Sequence, residues 1–437
     1  MHEIELTADE LVARLLQLSA TETVCILDSC GVGHLGSHLL LAAIRPVESM
    51  QLSDDDPEST MAILNKKLSG DLVGFFTLSY DFGVKLSQIP SAKSLISEEP
   101  DVFLALFDAL IVHDYTSGRT YISNSAGGLD GLLSRTPEND DADHPPTMTH
   151  AASDFSADDY KASIETIREH IRSGDTYQTN LTQQITCSLP KGLDATTVFR
   201  RLRGDHPAPF AAFLRRQEST VVSASPERFF RVDRDGFIEA SPIKGTRPRG
   251  RDRVEDYALR TELKSSEKDH AENTMIVDLM RNDLGRVCEY GSVRVEKLCD
   301  IEEHPTLFHL VSTVRGKLCN GLGFSQVLRA LFPCGSITGA PKISTMEIID
   351  EIERSPRGLS MGAIGVYIPQ SWNLAPVSSD TVFDLSVAIR TMVIRDGDAV
   401  FNVGGGIVID SDPAKEFDES LLKAKALLNA LNAAIES

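Results

Sequence analysis

The sequence predicts an α+β fold built on largely antiparallel sheet, and three observations carry the prediction. Short β-branched or apolar runs at 220–224 (TVVSA), 229–232 (FFRV), 363–368 (AIGVYI) and 400–403 (VFNV) alternate with long amphipathic segments. Strands follow strands and helices fall in separate blocks, the order of an α+β chain rather than of a wound parallel sheet. No segment repeats at the roughly 20–50-residue spacing of solenoids and propellers.

The chain has 437 residues, 41% hydrophobic and 24% charged, enough for several domains and a large core. At its start, His2, Glu3, Glu5, Asp9 and Glu10 stand where a secretory signal would carry basic and then apolar residues, so a cytoplasmic location is expected. The richest apolar stretch, 102–112, is interrupted by Asp108 and falls short of the roughly 18 residues of a membrane span. Cys25, Cys30, Cys187, Cys288, Cys299, Cys319 and Cys334 show no close paired spacing, which signals neither a disulfide framework nor a zinc ribbon and leaves buried thiols as the expectation. With 43 basic against 64 acidic side chains, a net charge of −21 repels a phosphate backbone, and nucleic acid is not an expected partner. An anionic substrate would need a few locally placed cations and backbone amides.

Residues 136–155, rich in proline and aspartate with little that could pack, read as an exposed linker between an amino-terminal region, 1–135, and a larger carboxy-terminal domain, 156–437. Ser156 can cap a helix in which Tyr160, Ile164, Ile167 and Ile171 recur at helical spacing, ending near Gly174. Over 267–283, Ala271, Met275 and Leu279 make an apolar stripe, with Asp269 and Glu272 on the opposite side. From Pro413 onward, with Asp412 as cap, Phe417, Leu421, Ala424, Leu428 and Leu431 form a second stripe. Glu416, Glu419 and Lys423 fall within an arc of roughly 60° away from it. Two acidic pairs could therefore face each other, and four carboxylates with ordered water would suit Mg²⁺. Ordinary solvated helix faces are the alternative reading.

Three further features could carry chemistry. Gly404, Gly405 and Gly406 would let backbone N–H groups approach an anion closely, or would form a bulge or tight turn between strands. Lys244 lies among small and apolar residues in 241–246 (SPIKGT), where burial would favour the neutral, nucleophilic amine, although most lysines are surface charges. Glu227 in 225–229 (SPERF) is either a general acid/base or the partner of Arg228. Gly335 to Lys342 is not a phosphate loop, because Ala340 and Pro341 separate Gly339 from Lys342.

Taken in order, 225–229, 242–246, 269–286 (DHAENTMIVDLMRNDLGR), 309–311 (HLV), 332–342 (FPCGSITGAPK), 384–391 (DLSVAIRT), 404–406 and 416–423 closely resemble the chorismate-utilising enzymes. That family includes the anthranilate, aminodeoxychorismate, isochorismate and salicylate synthases. The resemblance runs from Ser156 to the carboxy terminus; the amino-terminal region is similar more weakly, through 27–29 and 74–83. It implies antiparallel β-sheets packed as a sandwich with flanking helices. It also implies Glu272 and Glu419 as direct Mg²⁺ ligands, Asp269 and Glu416 as holders of metal-bound water, and Arg390 with the Gly404, Gly405 and Gly406 amides as a clamp for chorismate carboxylates, helped by Lys423, Tyr367 and Thr338. Asp269 departs from members that carry glutamate there.

The same resemblance implies a reaction. Members that activate water have a lysine where this chain has Gln178, and an amide is no base, so an amine-using member is implied. Lys244, with Ser336-Ile337-Thr338, resembles the aminodeoxychorismate synthase branch, whereas anthranilate synthases usually have alanine at that lysine. Lys244 would attack C2 of chorismate, Glu227 would shuttle protons, and His309 would stand near the ring. Ammonia from a separate glutamine amidotransferase subunit would then give 4-amino-4-deoxychorismate, the precursor of 4-aminobenzoate and folate. Anthranilate synthase component I is the nearest alternative, and a non-catalytic regulatory subunit that binds tryptophan or chorismate is the alternative of another class.

Overall fold

The computed structural model describes residues 1–33, 38–93, 96–123, 129–133, 148–303 and 307–435. Two sheets, of 13 and 10 strands among the described residues, form the body of the molecule. Every ladder is antiparallel except the short pairing of Ala433–Ile435 with Thr149–Ser153. The sheets pack face to face over Cys25, Ala43, Ala212, Leu214 and Val221 from one and Val73, Phe75, Phe103, Ile364 and Val366 from the other. Helices Ala8–Leu18, Ala195–Asp205 and Pro413–Leu431 cover the outer side of the larger sheet. Helices Pro57–Lys67, Glu267–Gly285 and Phe324–Leu331 cover that of the smaller. The expected α+β sandwich with flanking helices is present.

Burial on both faces explains why several strands read as unbroken apolar runs. In Val73–Leu78, Phe75 enters the layer between the sheets while Phe76 points to the helices, and all six residues are buried. The apolar stretch around Asp108 is two strands, Val102–Phe107 in the smaller sheet and Leu110–Asp114 in the larger, so the chain crosses between sheets at that aspartate. The expected strands are present as Ser219–Ser225, Arg228–Asp233, Ala363–Tyr367 and Asp398–Ile407. Helix Ala157–Ser173 has its cap at Ser156, buries Tyr160, Ile164 and Ile167, and ends on left-handed Gly174. The seven cysteines are all free thiols, four of them buried.

The chain is not divided where the sequence suggested. Of the expected linker, 136–147 lie outside the described residues, but Thr149–Ser153 is a strand whose Ala151 is fully buried. Both sheets take strands from either side of it. Val24–Asp28 pairs with Phe210–Arg215, and Val73–Leu78 pairs with Ala363–Tyr367. The amino-terminal strands therefore complete sheets that the rest of the chain begins.

The three glycines at 404–406 are neither bulge nor turn but the end of the continuous strand Asp398–Ile407, paired with Gln178–Ser188 through Gly404 to Thr182, Gly405 to Leu181 and Gly406 to Asn180. A Cβ at Gly404 would lie 1.9 Å from the Leu181 carbonyl oxygen, whereas at Gly405 it would meet the Lys423 ammonium at 3.3 Å and carboxylate oxygens of Glu416 at 3.5 Å and Glu419 at 4.0 Å. Gly404→Ala is therefore expected to lose about 1–3 kcal/mol of stability through overpacking against backbone. Gly405→Ala, which displaces only side-chain ends, should change it by less than about 1 kcal/mol. Thermal or urea unfolding of the two variants checks this, and equal losses would contradict it.

Candidate active site

Two helices bring carboxylates together. Glu267–Gly285 begins at Ser266, whose hydroxyl accepts the Asp269 N–H at 3.3 Å. Its buried side is Asn273, Ile276, Val277, Met280 and Leu284 rather than the expected stripe. Ala271 is exposed, and Met275 and Leu279 are half-buried. Polar Asn273 can face inward because it accepts from Ser312 Oγ and donates to the Leu310 carbonyl at 3.5 Å. Pro413–Leu431 begins as expected, with Asp412 accepting the Ala414 and Lys415 N–H groups at 3.0 Å. Ala424, Leu428 and Leu431 are buried as expected, while Phe417 and Leu421 are half-buried. Glu416 is not on the solvent face but buried, accepting from Ser411 Oγ at 2.8 Å.

The acids of these helices share one ammonium group. Lys268 Nζ stands 3.8 Å from Glu272 Oε1 and 3.9 Å from Glu416 Oε1, too far for strong hydrogen bonds to either. Burial pushes the Glu272 carboxyl up, the ammonium groups of Lys244 and Lys268 pull it back, and the negative charges of Asp269 and Glu416 add to the rise. At Glu419 burial also raises, but Lys423, Lys268 and Lys244 together hold the carboxyl below its ordinary value. Lys423 Nζ reaches Glu419 Oε1 at 2.9 Å and the Gly404 carbonyl at 3.0 Å, which ties this helix to the glycine strand.

An all-oxygen donor set on two opposed helices, with mutually repelling carboxylates, is chemically matched to a hard divalent cation. In the arrangement seen, no group of three or more His, Cys, Asp or Glu side chains among the described residues stands at ligand spacing. Each acid has another partner: Asp269 takes Arg247 at 3.2 Å, Glu416 takes Ser411, and Glu419 takes Lys423. The donor chemistry fits such an ion once the lysines give way.

Lys244 is carried to these acids by the strand Ile243–Pro248, which pairs with Leu307–Lys317. Gly245, with φ +79°, permits the approach: a Cβ there would lie 2.9 Å from Asp269 Cγ. The setting of Lys244 is acidic rather than apolar, since Glu227, Glu272 and Glu419 all act on it electrostatically. Glu227 sits between the strands Ser219–Ser225 and Arg228–Asp233, nearly fully buried, with Oε1 lacking a hydrogen-bond partner. Burial pushes its carboxyl up, against Lys244 and hydrogen bonds from Ser336 and the Ile243 backbone. Arg228 turns away to Asp384 at 3.0 Å and Glu239 at 3.2 Å, so Glu227 is not merely its partner. His309 pairs across the ladder with Thr246, its Nδ1 2.9 Å from Thr246 Oγ1, two residues along the strand from Lys244.

Arg390 occupies the crossing between the sheets in a left-handed conformation, φ 48°. Burial pulls its pKa down, and it has no ion-pair partner among the described residues. Gln178 is fully buried over Gly406, with neither amide atom hydrogen-bonded; Thr179 Oγ1 and Asn180 Nδ2 are likewise without partners. Thr338 is fully buried and adjoins this strand, its carbonyl accepting the Asn180 N–H at 2.8 Å, but its hydroxyl donates to Cys334 O at 3.0 Å within its own turn. Tyr367 is set apart: its hydroxyl donates to Gly70 O at 2.9 Å and its ring stacks on Phe383 in the core. Lys268 and Ser336 were not singled out in the sequence as members of the site, although Lys268 stands four residues before Glu272. A cavity of about 100 Å³ between the sheets, lined by Asp28, Ser29, Arg228, Arg231 and Asp384 among others, holds none of the four opposed carboxylates.

Known proteins share this arrangement of chain. Residues 25–429 match the family model described as chorismate binding enzyme. Aminodeoxychorismate synthase component 1 of Klebsiella aerogenes is 36% identical over 413 residues, covering 91% of this chain and 88% of that protein. A probable chloroplastic aminodeoxychorismate synthase of Oryza sativa subsp. japonica is 37% identical over 421 residues, covering 87% of this chain and 45% of that protein. The chain thus spans less than half the length of several curated relatives. The crystal structure of anthranilate synthase component I from Streptococcus pneumoniae TIGR4 superposes with a TM-score of 0.74 at 27% identity, covering 90% of this chain and 93% of that one. With a family model matched over nearly its whole length, the chain belongs to the chorismate binding enzyme family.

Proposed function

We propose that the chain aminates chorismate at C4, with Mg²⁺ and with ammonia from a glutamine amidotransferase subunit, to give 4-amino-4-deoxychorismate for 4-aminobenzoate and folate synthesis. The observation that carries this reading is Lys244 set among Glu227, Glu272 and Glu419. Attack on carbon needs a free amine, and the acid beside it supplies one. A proton passed from Lys244 to Glu227 creates the amine and the carboxylic acid together, and the burial that raises the Glu227 carboxyl favours its holding that proton.

The amine then bonds to C2 while Glu227 gives its proton to the C4 hydroxyl, which leaves as water. The adduct nitrogen returns a proton to Glu227. Ammonia bonds to C4 as the bond from Lys244 to C2 breaks, and Glu227 protonates the departing amine. The proton shed by the new C4 ammonium restores the lysine charge. Bound by Glu272 and Glu419, with Asp269 and Glu416 holding its water, Mg²⁺ would offset the ring carboxylate and ease departure of the hydroxyl.

Arg390, a half-buried cation without an ion-pair partner among the described residues, suits a substrate carboxylate, as do the Gly404, Gly405 and Gly406 amides and Lys423. Thr338 would contribute through the turn it closes rather than a free hydroxyl, and His309 through the strand it pins beside Lys244. Gln178 offers no base for water, which favours ammonia as the nucleophile. The designation component 1 of the Klebsiella relative supports a second, ammonia-supplying component. Seven free thiols suit a reducing compartment such as the cytoplasm.

Incubated with chorismate, ammonium and Mg²⁺, the protein should release 4-amino-4-deoxychorismate with its enolpyruvyl group retained. A chelator should abolish this, and Lys244→Ala should lose it while melting normally. Fluorescent anthranilate with pyruvate, or full turnover by Lys244→Ala, would contradict the reading.

The shared proton gives a second test. Below the acid limb Glu227 is already protonated and cannot take the proton that frees the amine. Because burial raises the Glu227 carboxyl, that limb should lie above the ordinary glutamate range. Glu227→Gln should remove the limb and lower kcat by about 10²–10⁴-fold. An unchanged profile in the variant would exclude Glu227 as the proton carrier.

A further inference from the structure

We propose that Glu353 and Arg357 are positioning residues for substrate binding, acting through the two backbone segments that carry Gln178, Thr338 and the partner strand of the glycine tract. The inference rests on the chorismate reading above and assigns how its binding groups are held in register.

The pair lies beyond helix Lys342–Ile352, and both residues are almost wholly buried. Arg357 donates to Glu353 through Nε at 2.9 Å and Nη2 at 2.8 Å, a two-pronged contact. Its remaining donors go elsewhere: Nη1 to Ile337 O at 2.9 Å and Nη2 to Asn180 O at 2.6 Å. Glu353 Oε1 in turn accepts the Thr182 N–H at 2.7 Å and the Thr182 hydroxyl at 2.8 Å. The Tyr80 ring covers the guanidinium, 4.4 Å from centroid to carbon, so no other approach to it is open on that side.

Every backbone group the pair grips adjoins the site. Ile337 precedes Thr338; Asn180 and Thr182 flank Leu181, opposite Gly405, and lie across from Gly406 and Gly404. The segments also bond each other, since Asn180 N–H donates to Thr338 O. A buried ion pair is a weak source of stability, because desolvation offsets much of its attraction. What it supplies here is a fixed distance between the strand and the turn just past the end of the short ladder, Gln178 with Ala340 and Thr179 with Gly339, that joins them. Arg216 provides the contrast. It is equally buried, ion-paired to Glu99 at 2.6 Å and donating to the Thr77 hydroxyl at 2.9 Å, yet neither contact involves a residue of the site.

The test compares steady-state constants for chorismate, with ammonium and Mg²⁺, in Arg357→Lys, Glu353→Gln and Arg216→Lys. Arg357→Lys should raise KM about tenfold or more with kcat within about threefold, the signature of lost binding alignment. Glu353→Gln, which keeps an acceptor for Thr182, should move KM the same way by less. Arg216→Lys should lower the melting temperature as much with KM unchanged. Should Arg357→Lys fail to fold, Glu353→Gln carries the comparison. Wild-type KM in a folded Arg357→Lys or, failing that, in Glu353→Gln would overturn the inference alone, as would equal KM increases in Arg357→Lys and Arg216→Lys. A wild-type protein that does not turn over chorismate would overturn the underlying reading and this inference with it.

Discussion

Mutual neutralisation of carboxylates and ammonium groups, where two helices meet the Lys244 strand, is the interaction on which the rest of the site depends. Glu227, Glu272, Glu416 and Glu419 could not share so small and partly buried a volume unaided, because each charge raises the cost of the next. Lys244, Lys268 and Lys423 balance them; Lys423 is tied to Glu419 at 2.9 Å, but Lys268 is not locked by ideal geometry. Lys268 stands nearly 4 Å from both of its acids. A cluster held this loosely can exchange one cation for another and can pass a proton internally, which a set of tight, saturated ion pairs would resist.

The sandwich exists to hold that cluster still. Lys244 and His309 come from adjoining strands of the smaller sheet, Gly404 to Gly406 and Gln178 from adjoining strands of the larger, and Glu227 and Arg390 from segments where the chain passes between the two. Residues drawn from both sheets keep a common geometry only if the layer between the sheets is dense, and Phe75, Phe103, Leu214 and their neighbours make it so. Glu353 and Arg357 add a polar strut where that apolar packing gives way to buried, unpaired polar groups.

What the sequence disclosed followed from local physics. Caps at Ser156 and Asp412, the left-handed stop at Gly174 and the strand runs were legible because short-range hydrogen bonding and side-chain shape decide them. The opposed acids were legible as helical spacing, though the rotation of Glu267–Gly285 was not. Asn273 is buried through partners on distant strands, which no local pattern encodes. The same limit hid the acidic surroundings of Lys244, whose sequence neighbours are apolar while its spatial ones are carboxylates. It also hid the role of Thr149–Ser153, an acid- and proline-flanked segment that is a strand because Gln178–Ser188 and Ala433–Ile435 pair with it. Tyr367 fits a motif in the sequence but spends its hydroxyl on Gly70.

The central claim is that the Lys244 nitrogen is the atom that meets the ring. Mass spectrometry of the protein incubated with chorismate and Mg²⁺ in the absence of ammonia tests it most directly. The account predicts a covalent increment equal to chorismate less one water, located on the peptide that carries Lys244 and discharged on adding ammonium. An active preparation with an unmodified Lys244 peptide under conditions that trap the intermediate, or with the increment on another residue, would contradict it.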